Sequence, residues 1–180
     1  MHLVFAQVPF KMSELEKECE RLALAEKRVL SILSAGDETE RWVAKTSGAS
    51  GVESLFTGME GVLKLLIEAM GEKVYQTTDG GPHKFHAQLI AQCATATEIR
   101  PVIISNELKV QLDDLRRFRH LERNVYGEAL IDEKVDDKVK AVLEVVPRFK
   151  REVEAFIAFM STPKPVDEHS DPATPNGNKT

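Results

Sequence analysis

Val135, Val139, Val142, Val146, Phe149, Val153, Phe156 and Met160 recur at alternating steps of four and three residues. An α-helix turns once in about 3.6 residues, so this spacing lays one continuous apolar stripe along a long helix. A stripe of that length has to be covered by other helices. It can serve the core of one chain or a helix interface between two chains, and spacing leaves both open. Pro147 falls inside the pattern and predicts a kink, because it lacks an amide donor and crowds the preceding turn.

The rest of the chain carries the same period. Ser13 with Glu16 reads as a capping box, followed by Leu15, Cys19, Leu22, Val29 and Leu33 up to Ala35-Gly36. Asp37 with Glu40 predicts the cap of a short second helix holding Trp42 and Val43 and ending in the small residues at 47–50. From Gly51, the positions Leu55, Met59, Val62, Leu66 and Met70 predict a further helix closed by Gly71. Residues 75–82, with the Asp79-Gly80-Gly81 turn signal, read as a loop. Phe85, Leu89 and Cys93 predict a shorter helix. Residues 99–104 are β-branched enough for a strand, but one strand cannot make a sheet, so they read as an extended connector. Ser105 is a suitable N-cap for the next helix, and Gly127 a suitable stop. The fold class expected is therefore all-α: an antiparallel bundle of four to five main helices over residues 1–160. Residues 161–180, with four prolines and Val166 as the one large apolar residue, read as a disordered polar tail.

With 180 residues, 42% of them hydrophobic, the chain can bury one sizeable core. A net charge of −5 and a pI near 5.6 exclude a general nucleic-acid coat, so any contact with RNA has to be local. Cys19 and Cys93 are far apart within apolar helical patterns and read as reduced, structural thiols. The first ten residues lack the charged start of a signal peptide, and no apolar run reaches the roughly 18 residues of a spanning helix. A soluble, cytoplasmic protein is expected, with no membrane partner.

One segment departs from the acidic balance. Residues 115–127, LRRFRHLERNVYG, hold four arginines within eight positions. At about 100° per residue, Arg116, Arg119, Arg123 and Tyr126 share one broad helix face, with His120 and Asn124 beside it. Leu108, Leu112 and Leu115 point in nearly the direction of Arg119, while Phe118, Leu121 and Val125 form a second apolar stripe. An arginine that continues an apolar stripe becomes partly buried and needs a carboxylate, a carbonyl or a phosphate. The alternative is a solvated helix end whose arginines pair with Asp113, Asp114 or Glu122. His83 and His86, three apart, could face one metal ion, but no third ligand follows at a suitable spacing. His86 packing on the bundle is the simpler reading, and no metal site is assigned.

The order arginine, four residues, histidine, one residue, tyrosine resembles the motif of HepT-like ribonuclease toxins of the HEPN superfamily. The likeness extends through residues 51–74 (GVESLFTGMEGVLKLLIEAMGEKV), 83–90 (HKFHAQLI), 99–108 (IRPVIISNEL) and 107–127. On this chain the motif arginine is Arg119, the tyrosine is Tyr126, and Asn124 stands where the family has histidine. The resemblance implies a HEPN-like bundle that dimerises and a metal-independent endoribonuclease without cofactor. The ribose 2′-hydroxyl would attack the adjacent phosphate, Arg119 would steady the developing charge, and Arg116 and Arg123 would extend the phosphate-binding face. The implied partners are RNA, a second copy of the chain, and a nucleotidyltransferase-type antitoxin able to place AMP on Tyr126.

Asn124 changes that expectation. An imidazole titrates near neutrality and can carry a proton, whereas an amide only orients or hydrogen-bonds. Asn124 could position the ribose or phosphate, and His120, four residues earlier, is the nearest titratable group in sequence. Two other readings stand beside the nuclease: a catalytically weakened module that binds RNA, a nucleotide or a protein through the basic face, and a scaffold whose arginines only make ion pairs.

Overall fold

A computed structural model describes residues 5–74, 82–124 and 132–162, except for the side chains at 82, 83, 120–124 and 132. Its elements are five helices in chain order: α1 (Val8–Ala35), α2 (Glu38–Ala69), α3 (Pro82–Cys93), α4 (Asn106–Asn124) and α5 (Asp132–Ser161). No strand occurs among the described residues, so the bundle is all-α. Of the expected loop at 75–82, residues 75–81 lie outside the described residues and Pro82 begins α3; of the expected tail, residues from 163 onward lie outside them and Ser161 is the last residue of α5.

α2 is the central helix and packs on each of the other four. That position explains its sequence. Val52, Leu55, Phe56, Met59, Val62, Leu63, Leu66 and Ile67 are all fully buried, and together they surround most of the helix circumference. The α5 seam is equally clear: Val135, Val139, Val142, Val146, Phe149, Val153 and Phe156 are buried and Met160 packs at the edge. The seam therefore belongs to the protomer's own core. The helix continues through Pro147.

Two boundaries differ from the sequence expectation. α1 begins at Val8 and not at Ser13, because Phe5, Val8 and Met12 are themselves core residues and Phe5 meets Phe156 edge-on at 6.3 Å. Pro9 sits in the first turn, where its missing N–H costs nothing. The second difference is larger. The two helices expected across residues 38–70 are one helix of 32 residues, and the small residues at 47–51 are contact points and not breaks. A Cβ on Gly48 would lie 3.0 Å from Val135, one on Gly51 2.9 Å from Leu22, and one on Gly58 2.8 Å from Leu15. Glycine here lets α1 and α5 approach α2 closely. The Asp37–Glu40 capping box forms as expected, and Gly71 ends α2 with φ of 74°.

α4 is anchored at its start. Ser105 Oγ accepts from the Leu108 amide at 3.2 Å, while the Ser105 amide and hydroxyl donate to Glu152 of α5 at 2.7 and 2.9 Å. Arg148 of α5 donates to the same carboxylate and to Ser105 Oγ. Further along, Lys138 of α5 pairs with Asp114. These ties fix the rotation of α4 about its axis and hence the direction in which Arg119 leaves it.

Candidate functional site

Leu108, Leu112 and Leu115 are buried along one line of α4, and Arg119 occupies the next place on that line. The guanidinium consequently enters the bundle, with 11% of its side chain exposed. Its Nε donates to Glu53 Oε1 at 3.3 Å and its Nη1 to Glu60 Oε2 at 3.3 Å. Its Cζ also lies 5.8 Å from the centre of the Phe56 ring. Glu53, Phe56 and Glu60 follow one another on α2 at steps of three and four, so a single helix face supplies all three contacts. Of the three kinds of partner expected, carboxylate, carbonyl or phosphate, a carboxylate is present twice over, and it comes from α2, 66 and 59 positions away in sequence.

A third helix completes the cluster. His86 of α3 places Nδ1 2.6 Å from Glu60 Oε1. A carboxylate only accepts, so Nδ1 carries the hydrogen and donates it, which leaves Nε2 as the acceptor nitrogen of the neutral ring. Arg119 Nη1 lies 3.3 Å from Nε2 and 3.5 Å from Nδ1. A guanidinium only donates, so Nη1 gives its hydrogen to the Nε2 lone pair, and the imidazole is held from two sides, by Glu60 at Nδ1 and by Arg119 at Nε2. Glu60 thus divides its two oxygens, one to the imidazole and one to the guanidinium. It is the most enclosed member, with 9% of its side chain exposed, against 26% for His86 and 20% for Glu53.

The other residues of the basic segment do not all join this cluster. Arg116 pairs with Asp113 on its own helix at 2.9 Å, as the solvated-end alternative anticipated for the motif arginines. His120, Arg123 and Asn124 lie on the last turns of α4 with their side chains outside the described residues, and Tyr126 and Gly127 lie outside them altogether. His86, Glu53 and Glu60 were not singled out by sequence as one site. The available signal was two glutamates seven apart, and so on one face, within a stretch of helix that is otherwise uncharged.

A second arginine cluster sits at the junction of α2 with the α3–α4 connector. The Arg100 side chain is 0% exposed and meets Glu72 through Nε at 2.5 Å and Nη2 at 3.0 Å. Nη1 donates to the carbonyls of Thr95 and Pro101, and Nη2 also to that of Gln92. Gln92 in turn donates to Glu72 and to the Lys73 carbonyl. Burial acts to raise the Glu72 carboxyl, but hydrogen bonds from Arg100 and Gln92 and the Arg100 charge outweigh it, and the group titrates below the ordinary range.

Neither thiol has the setting of a nucleophile. Burial pushes Cys93 up to about 12, and burial together with Glu20 and Glu16 raises the half-buried Cys19. Among the described residues no group of three or more His, Cys, Asp or Glu side chains is placed to hold a metal ion, and no helix is long and apolar enough to cross a membrane.

A protein-family model described as HepT-like protein matches residues 48–160, which is more than half of the chain and runs from α2 through α5. No curated protein and no solved structure gives a match.

Proposed function

The chain belongs to the HepT-like protein family, and on that premise we propose that it is a metal-independent endoribonuclease, the toxin of a toxin–antitoxin pair. The observation that carries the reading is the seating of the motif arginine. Arg119 is held at the meeting of α2, α3 and α4, beside an imidazole and two carboxylates, and not on a solvated helix end. Transesterification of RNA without a metal needs a cation at the phosphate and groups that move protons, and this cluster contains both kinds.

In this reading a scissile phosphate takes the place of a carboxylate at Arg119, and the guanidinium stabilises the charge that grows as the 2′-oxygen attacks. Asn124 orients the ribose or phosphate, Arg116 and Arg123 extend the anion-binding face, and His120 is a further proton carrier in the same turn. A second copy of the chain completes the cleft, in the cytoplasm. The partner is a nucleotidyltransferase-type antitoxin that places AMP on Tyr126, where added negative charge competes with RNA for the arginines. Intact mass after co-expression should show that adduct, absent from Tyr126→Phe.

A second reading is favoured by two observations. Asn124 cannot titrate, and Arg119 already faces two carboxylates that reduce its attraction for phosphate. A module that binds RNA without cutting it would tolerate both. Cleavage of mixed RNA in EDTA by wild type, Arg119→Lys, Arg119→Ala and Asn124→His separates the two. The nuclease reading expects wild-type cleavage that falls about 10²–10³-fold when the planar guanidinium is lost, even with the charge kept as lysine. A silent wild type, with Asn124→His cutting, would establish the binding module instead.

A further inference from the structure

We infer that His86, held by Glu60, is the residue that takes the proton from the ribose 2′-hydroxyl, supplying from α3 the imidazole that the motif helix lacks at Asn124. The inference rests on the ribonuclease reading and assigns the base within it.

Three observations lead here. First, the nearness of His86 to Arg119 is created by the fold: 33 positions separate the two, yet Nε2 lies 3.3 Å from Nη1. Any phosphate bound by that guanidinium brings its neighbouring ribose to the same place. Second, the ring is prepared for one direction of proton transfer. Glu60 accepts from Nδ1 at 2.6 Å, which fixes the tautomer with the lone pair on Nε2 and stabilises the imidazolium formed once a proton arrives; Arg119 Nη1 donates to that lone pair at 3.3 Å, and a phosphate that draws the guanidinium to itself turns Nε2 over to the ribose hydroxyl. A buried carboxylate behind an imidazole does this without itself taking the proton. Third, the ring can be reached. A quarter of the His86 side chain is exposed (26%), although the carboxylate behind it is almost enclosed (9%).

The step balances within the cluster and solvent. The 2′-hydroxyl proton passes to His86 Nε2 as the 2′-oxygen bonds to phosphorus. The bond from phosphorus to the 5′-oxygen breaks, and that oxygen takes a proton from water, leaving a 2′,3′-cyclic phosphate and a 5′-hydroxyl. His86 then returns its proton to solvent. Arg119 stays charged throughout, and Glu60 is a positioning residue.

The test measures single-turnover cleavage of mixed RNA in EDTA by wild type, His86→Ala, His86→Gln, Glu60→Gln, Arg119→Lys and His120→Ala, with RNA affinity and thermal stability measured in parallel. His86→Ala should lose about 10²–10⁴-fold in rate while RNA affinity is kept, and added imidazole should restore part of the rate. His86→Gln, which retains a donor toward Glu60 but cannot carry the proton, should lose as much at wild-type stability. Glu60→Gln should lose about tenfold, because the amide still accepts from Nδ1–H but no longer balances the imidazolium. Wild-type cleavage that survives His86→Ala or His86→Gln, or that depends on His120 instead, overturns the assignment and leaves the ribonuclease reading intact. A loss in His86→Ala that imidazole does not repair, accompanied by lower stability and an active His86→Gln, makes His86 a structural residue and also overturns it. No cleavage by any form overturns both.

Discussion

Two arginines are drawn into the interior of this bundle, and their surroundings are opposite in kind. Arg100 is completely enclosed, and its donors are divided between a two-pronged pairing with Glu72 and three backbone carbonyls. Backbone carbonyls cannot leave, and a forked carboxylate pair is among the most geometrically exact contacts a guanidinium makes. Arg119 instead meets Glu53 and Glu60 through single bonds at 3.3 Å, lies over an aromatic ring and touches an imidazole. Among the described residues its polar contacts are with side chains, which can turn away as backbone carbonyls cannot. Arg100 closes a joint in the fold, whereas Arg119 is kept available at the edge of one.

The largest effect that separates them is on stability. Arg100→Ala leaves Glu72 without its ion-pair partner and three carbonyls without that donor, and should cost about 3–5 kcal/mol, read as a lower midpoint in urea unfolding. Arg119→Ala leaves Glu53 able to reach water and the nearly enclosed Glu60 still bonded to His86, and should cost less, about 2–3 kcal/mol. Equal costs would show that Arg119 is as structural as Arg100, and the functional assignment would lose its physical basis.

A smaller effect concerns acid. Glu72 titrates below its ordinary range because of Arg100 and Gln92, so its folded value lies beneath its unfolded one. Such a group adds stability that is fully present above the unfolded value and is lost as pH falls through the folded one. Unfolding midpoints of wild type should therefore decline more steeply below the usual carboxylate range than those of Glu72→Gln. Parallel declines would mean that the Arg100 joint does not depend on that charge.

What sequence reveals differs between the two regions for the same reason that their chemistry does. The seam from Val135 to Phe156 was legible because helical period is local, and so were the Asp37–Glu40 cap, Ser105 as an N-cap and Gly71 as a stop. Small residues misled: Gly48 and Gly51 resemble a break in sequence, yet serve as contact points for Val135 and Leu22. At the site, the need of Arg119 for a carboxylate, a carbonyl or a phosphate followed from its place on the Leu108–Leu112–Leu115 line. Which carboxylate could not follow, because Glu53 and Glu60 reach it only after α2 and α4 have packed. His86 was hidden more deeply still, since its meaning depends on a contact with Arg119 that no spacing encodes.

The smallest effect bears most directly on how Arg119 is kept available. Glu53 is the more exposed of its two carboxylates, and Glu60 is also engaged by His86. At 20% exposure against 9%, Glu53 is therefore the carboxylate that an incoming phosphate reaches first. Glu53→Gln keeps an acceptor for Arg119 Nε and removes one negative charge from the path of the anion. Stability should change by less than about 1 kcal/mol, while RNA binding tightens by about fivefold, a gain that shrinks as salt rises because screening weakens the repulsion removed. The same substitution in an Arg119→Ala background should gain less, since the displaced contact no longer exists. Weaker binding in Glu53→Gln would mean that Glu53 orients Arg119 for phosphate and does not compete with it, which would turn this carboxylate from a guard into part of the receiving site.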